Sequence, residues 1–183
     1  MVWFVTCLAV WMPFPEAREC DEPALSAVLE RLARGESPTG LPGVLVRGEE
    51  GHLPPQPLEE IGRPERGLFQ VDRYHREGGM ANLQTKRGCP FSCIYCTYPL
   101  LEGTRLRLRN VADIVAEIRQ LVDGYGTEYI YFVDDIFNYP VEFAERLCRA
   151  VVDAGLKVGW SAFINPGFIT PDLLGTMVEA GCD

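Results

Sequence analysis

Apolar positions recur with a helical period in four stretches of the chain and form short, strand-length runs in four others. In Asp21 to Ala33, Ala24, Leu25, Val28, Leu29 and Leu32 make one helical face, with Pro23 in the first turn and Gly35 as the stop. Val44 to Val46 reads as a short strand, and the Pro-rich, acidic stretch from Gly48 to Arg66 reads as a linker. Beyond it, strands are expected at Ala81 to Thr85, Tyr129 to Val133 and Val158 to Phe163, the second of them a continuous apolar run suited to a buried parallel strand. Helices are expected between them. Asn110 caps the first, which runs to Val122 and buries Val111, Ile114, Val115, Ile118, Leu121 and Val122. The second follows Asn138 and Pro140 and buries Phe143, Ala144, Leu147, Cys148, Val151 and Val152, ending at Gly155; the third opens at Thr170-Pro171-Asp172. Met1 to Pro15 is apolar and aromatic but follows neither period.

Strand, helix, strand, helix, strand, helix calls for an α/β fold with a parallel sheet joined by crossovers. Residues 1–66 are expected to form a small front piece with its linker, and 67–183 the main domain. The chain stops at Gly181-Cys182-Asp183, where the alternation would deliver a fourth strand, so a C-terminally truncated domain is expected.

Composition narrows the class. Of 183 residues 47% are hydrophobic and 10% aromatic, enough to bury a core, and the net charge of -9 argues against a broad electropositive face for nucleic acid. Met1 to Met12 is shorter than the roughly 20 residues a membrane span needs, so no membrane partner is expected. Seven cysteines, an odd number in a chain too long to need disulfide staples, point to a reducing, cytoplasmic location.

Three of those cysteines, Cys89, Cys93 and Cys96, crowd into one Gly- and Pro-containing loop at the C-terminal end of the first main-domain strand, where parallel sheets place their active sites. Three thiolates can hold three corners of a cubane iron-sulfur cluster and leave the fourth iron open to a ligand. Structural zinc is the alternative; it wants four protein ligands, and His75 or a distant cysteine would have to complete it. Cys148 and Cys182 read as packing residues.

The C-x-x-x-C-x-x-C spacing with Tyr95 before the last cysteine resembles the radical S-adenosylmethionine superfamily. The run Arg87-Gly88-Cys89-Pro90-Phe91-Ser92-Cys93-Ile94-Tyr95-Cys96-Thr97-Tyr98-Pro99, with Leu101-Glu102-Gly103, Arg105-x-Arg107-x-Arg109 and Phe132-Val133-Asp134-Asp135-x-Phe137-Asn138, resembles the branch that carries an N-terminal cobalamin-binding domain. Ala24 to Arg47 looks like the tail of that domain. Its Asp-x-His-x-x-Gly motif is absent, the two histidines being His52 and His75. The resemblance implies the first half of a partial (β/α)6 barrel. It implies a 4Fe-4S cluster on Cys89, Cys93 and Cys96, with S-adenosylmethionine on the open iron and reductive cleavage to start a radical reaction, with methylation, cyclisation and sulfur insertion all open. It also implies cobalamin in the longer protein, a small-molecule substrate that the motifs do not identify, and an electron donor such as flavodoxin or ferredoxin. The rival readings are a non-catalytic protein with a structural metal site and an inactive gene fragment.

By the same resemblance Tyr95 packs on the adenine and Asp134 and Asp135 meet the methionyl amine, while Ser161 and Asn165, coming off the third strand at the same rim, could meet the ribose or carboxylate. Plainer readings stand beside these: Tyr95 as a core aromatic, Asp135 and Asn138 as a turn or helix cap, and Ser161 and Asn165 as loop residues bonded to backbone. Arg105, Arg107 and Arg109 alternate and could bind an anion, or form a solvated charge run. Trp160 and Phe163 are expected in the core.

Overall fold

The computed structural model describes residues 17–20, 24–41, 44–46 and 63–183. The apolar stretch 1–15 and the linker as far as Gly62 lie outside the described residues. The chain divides into two compact units, Met1–Gly62 and Arg63–Asp183. In the first, β1 (Ala17–Cys20) and β2 (Val44–Val46) pair antiparallel around helix α1 (Ala24–Ala33). Ala24 and Val28 pack on Val44, while Leu29, expected on the same face, is 44% exposed. The buried stripe is narrower than the periodicity suggests.

The second unit opens with a 3-10 turn (Arg66–Leu68) and α2 (Val71–Arg76). It continues as β3 (Ala81–Leu83), β4 (Lys86–Arg87), α3 (Tyr98–Leu101), β5 (Arg107–Leu108) and α4 (Val111–Arg119), the last running on as a π-helical turn to Gly124. Then come β6 (Tyr129–Phe132), α5 (Val141–Asp153), β7 (Gly159–Ala162), a 3-10 turn (Pro166–Phe168) and α6 (Pro171–Glu179). Strands β3, β6 and β7 form a parallel sheet in that order, with Leu83 opposite Phe132 and Phe132 opposite Ala162. Cys182 then bridges Trp160 in parallel, and the Asp183 N–H donates to the Trp160 carbonyl at 3.1 Å, which begins a fourth position beside β7.

The three longer main-domain helices start at the signals their sequences carry, a side-chain cap for α4 and α6 and a proline for α5. The Asn110 side chain accepts from the Ala112 N–H at 2.8 Å, Pro140 precedes α5, and Thr170 Oγ1 accepts from the Leu173 N–H at 3.1 Å. Their apolar faces bury Ile114, Ile118, Phe143, Ala144, Leu147, Cys148, Val151, Leu173 and Met177 against Leu83, Ile130, Phe132 and Trp160. Phe132, Phe137 and Trp160 make an aromatic core, with centroids 4.8 to 5.1 Å apart.

The other face of the sheet is not core. Strand β6 alternates, burying Ile130 and Phe132 but leaving Tyr129 and Tyr131 half-buried, so its continuous apolar run does not mean burial on both sides. Phe163 departs from its expected core position. It is 66% exposed and stands edge-on to Tyr131 at 5.9 Å, because it follows β7 on the open face.

The arginine run is solvated only at Arg105, which is exposed, while Arg107 and Arg109 are half-buried. Arg109 donates to the Gln84 carbonyl at 2.6 Å and to Glu117 at 2.7 Å, and Arg66 donates to the second oxygen of Glu117 at 2.7 Å. Glu117, 2% exposed on α4, thereby joins the turn before β3 to the segment after β5. Two charge-assisted bonds compensate its desolvation.

Candidate functional site

The cysteine loop leaves the C-terminal end of β3 through β4 and is clasped at its base. The Cys89 N–H donates to the Gly103 carbonyl at 3.1 Å, the Gly88 N–H donates to Glu102 Oε2 at 3.2 Å, and β4 pairs with β5. Gly88 sits at φ +85°, and a Cβ there would run into the Arg105 carbonyl. Within the loop the Cys96 N–H donates to the Cys93 carbonyl at 3.1 Å, a tight turn that brings the second and third cysteines together.

The three thiols differ in setting. Cys89 is buried, Cys96 half-buried and Cys93 exposed, and none is in a disulfide. Burial pushes the Cys89 thiol above its ordinary value; the Phe91 backbone opposes that, and Asp135, Cys96 and Cys93 add to it. Among the described residues no three His, Cys, Asp or Glu side chains converge on a point that one metal ion could occupy. A zinc ion needs such convergence, whereas a cubane cluster spreads its ligands over separate irons. Three soft thiol donors on one loop fit the cluster. His75 does not serve the loop: it meets Thr127 Oγ1 at 3.5 Å, before β6, about 20 Å from the C-terminal rim by strand length.

The two adjacent aspartates part company. Asp134, expected at the rim, is turned inward and 1% exposed. Oδ1 accepts from the backbone N–H groups of Thr85 at 2.7 Å and Lys86 at 3.2 Å, Oδ2 accepts from the Thr85 hydroxyl, and Lys86 Nζ lies 3.9 Å away. Burial raises its carboxyl while the Lys86 ammonium and these bonds oppose the rise. With both oxygens engaged, Asp134 is not open to a ligand. Asp135 takes the rim alone. It neighbours Cys89, Tyr98 and Glu102, its Oδ2 is buried without a hydrogen-bond partner, and burial, with Glu102 and Asp134 adding, pushes it up to about 7.

That strain has a measurable sign. The folded state holds the Asp135 proton up to about pH 7 and the unfolded chain releases it near 3.8, so the residue weakens the fold progressively between those values and fully above them. Asp135→Asn is therefore expected to stabilise the protein, with nothing bound at the rim, by about 1–2 kcal/mol at pH 8, the half-exposed setting damping the effect. It should add little at pH 4. Melts at the two pH values check this, and equal gains at both would contradict it.

Tyr95 is 87% exposed, which rules out the core-aromatic alternative and leaves its ring free beside the cysteines. Ser161 is half-buried on β7 in register with Tyr131, on the open face of the sheet. Asn165 is bonded to backbone and to Asn138: Oδ1 accepts from the Gly167 N–H at 2.9 Å, and its N–H donates to Asn138 Oδ1 at 2.8 Å. Arg107 donates to the Glu102 carbonyl at 2.7 Å and so braces the loop. Sequence reasoning gives Lys86 and Thr85 no role, and takes Glu102 only as part of the Leu101-Glu102-Gly103 motif. A lysine next to an apolar strand end was the one available signal.

Residues 83–183 match the model of the radical SAM superfamily, more than half of the chain. The chain belongs to the radical SAM superfamily. Its radical SAM core runs from the end of β3 through the described C-terminus. Among relatives, an uncharacterized methyltransferase of Pyrococcus horikoshii is 29% identical over 162 residues, covering 85% of this chain and 35% of that protein. The cytidylyl-2-hydroxyethylphosphonate methyltransferase of Streptomyces wedmorensis is 28% identical over 144 residues, covering 76% and 27%. The structure of the radical S-adenosylmethionine methyltransferase TsrM from Kitasatospora setae, solved with cobalamin and a [4Fe-4S] cluster, superposes with a TM-score of 0.74 at 22% identity, over 88% of this chain and 35% of that one. The shared fold confirms the parallel α/β architecture of this radical SAM core. The chain spans about a third of the length of these proteins. Among the described residues no helix is long and apolar enough to cross a membrane.

Proposed function

We propose that Cys89, Cys93 and Cys96 hold a 4Fe-4S cluster and that the rim beside it binds S-adenosylmethionine for reductive cleavage, as part of a methyl transfer. The observation that carries this reading is the unpartnered Asp135 oxygen beside the loop of three free thiols. A reduced cluster held there would supply the single electron for cleavage of the sulfonium bond. The rest is the work of this chain's residues. Asp135 offers the amine of the nucleotide a carboxylate that lacks a protein partner, so the ion pair formed on binding would offset its burial. Tyr95, exposed beside two ligand positions, offers its ring to the adenine, and Ser161 offers a hydroxyl from the next strand.

The methyl-transfer part rests on the relatives, several of which are methyltransferases, and on the cobalamin bound in TsrM. Residues 1–66 are read as the tail of a cobalamin-binding domain with its linker. The acceptor is a small molecule, as tryptophan is in a second TsrM structure. Flavodoxin or ferredoxin is the proposed electron source, and the free thiols suit a cytoplasmic setting.

Anaerobic reconstitution with iron and sulfide, followed by electron paramagnetic resonance of the reduced protein, tests the site. A cluster signal that shifts when S-adenosylmethionine is added is the expected result. A protein that takes up no iron, or a signal indifferent to the nucleotide, would refute it.

A further inference from the structure

Lys86, 3% exposed at the start of the cysteine loop, is a buried cation with several partners. Its Nζ donates to the carbonyls of Phe137 at 2.6 Å and Tyr139 at 2.9 Å, lies 3.9 Å from Asp134 Oδ2, and stands over the rings of Phe137 and Phe143 at 5.5 and 5.0 Å. Burying an ammonium is costly, and burial brings Lys86 down to about 8. An apolar residue would fill the space with less desolvation, so the contacts, not the packing, explain a lysine here.

Those contacts reach both halves of the candidate site. Asp134 is held inward by the Thr85 hydroxyl, the Thr85 and Lys86 N–H groups and the Lys86 ammonium, while the next residue, Asp135, sits in a bend with its carboxylate beside the cysteine loop. Through the Tyr139 carbonyl Lys86 fixes the segment whose Tyr139 ring packs on Phe91 of the cysteine loop, centroids 5.0 Å apart. Phe168 closes that group, 5.5 Å from Phe91 and 4.8 Å from Tyr139. Asn138, fully buried, bonds both ways to Asn165, so the loop after β7 is locked to the same segment. The three loops at the C-terminal rim therefore meet on residues 137–139, a segment tied to the sheet by the Lys86 ammonium and by the Phe137 N–H, which donates to the Phe163 carbonyl at 2.8 Å.

We propose that Lys86, acting with Asp134 and Thr85, is a positioning residue that sets the distance between the cysteine loop and the Asp135 carboxylate. This rests on the nucleotide reading of the rim. Lys86 touches neither cluster nor nucleotide; it decides where the groups that do so stand.

The test uses the full chain with two readouts. In the iron-free protein, Lys86→Met is expected to speed hydrogen exchange of the Asp135 to Tyr139 amides by about tenfold or more while leaving α4 to α6 protected. A lysine that only adds to global stability would speed exchange across the whole core, and that outcome overturns the proposal. Thr85→Val, nearly isosteric, removes only the hydroxyl bond to Asp134; it is expected to loosen the same amides to a lesser degree, and Thr85→Ser to restore them. Should Lys86→Met fail to fold, the threonine pair decides, and wild-type exchange in Thr85→Val counts against the proposal. In the reconstituted protein, Lys86→Met is expected to keep its iron but to need about tenfold more S-adenosylmethionine for the same resonance shift, a loss of one contact's worth of alignment. An unchanged titration overturns the proposal. If the wild-type signal ignores the nucleotide, the reading of the rim fails by itself, and the exchange data alone decide whether Lys86 positions the loops.

Discussion

Cys93→Ser is expected to leave the reconstituted protein with a small fraction of the wild-type iron and an unchanged melting temperature. The two halves of that result have different causes. Cys93 is exposed, so its sulfur supports no packing, and exposed substitutions of this kind move stability by less than about 0.5 kcal/mol. Iron in a cubane, however, takes thiolate, and a hydroxyl is too hard and too weakly acidic to replace it. Cys148→Ser should do the reverse. Cys148 is 1% exposed among α5 core residues, and burial pushes its thiol up to about 12, so it carries no thiolate to a metal. A buried hydroxyl in its place costs about 1–3 kcal/mol and leaves iron content alone. Iron and sulfide assays beside thermal melts check both. Full iron in Cys93→Ser would mean that the loop's three cysteines are not the ligand set.

Gly88→Ala is expected to produce the largest loss of stability at the site. Two penalties fall on one methyl group. The φ of +85° belongs to the left-handed region, which costs a residue with a side chain about 1 kcal/mol or more, and the methyl would also occupy the space of the Arg105 carbonyl. Relief requires opening the clasp between β4 and β5, with the Cys89 to Gly103 bond and the Glu102 bond to Gly88. A total of about 3 kcal/mol is expected, together with impaired iron uptake, because Cys89 is placed by that clasp. Denaturant unfolding and iron content measure the two parts. A variant as stable as wild type would show that the clasp gives way at little cost.

What could be read from the residues divides along physical lines. The elements of the main domain were legible because each of its longer helices carries an apolar stripe and a start signal: Asn110 and Thr170 cap α4 and α6 with their side chains, and Pro140 stands at the start of α5. The cysteine loop was legible because ligand spacing is local. Hidden was the side to which each residue of a strand end turns. Asp134 and Asp135 are the same residue type, adjacent, at one rim; only the donors Thr85 and Lys86, about fifty positions earlier in the chain, decide which is spent inside. Glu117 was hidden in the same way: it lies inside an apolar helical stripe, and its partners Arg66 and Arg109 come from two other segments.

Periodicity and motif spacing thus determined by themselves the α/β alternation, the helix starts and the loop that carries the three thiols, since all of these depend on residues within a few positions of one another. Tertiary structure alone decided that the sheet has one open face, that Tyr95 is exposed, that Asp135 rather than Asp134 meets the rim, and that Lys86 helps tie down the segment on which three loops meet. These depend on partners distant in the chain, whose charges and donors meet only once the parallel strands have brought β3, β6 and β7 side by side.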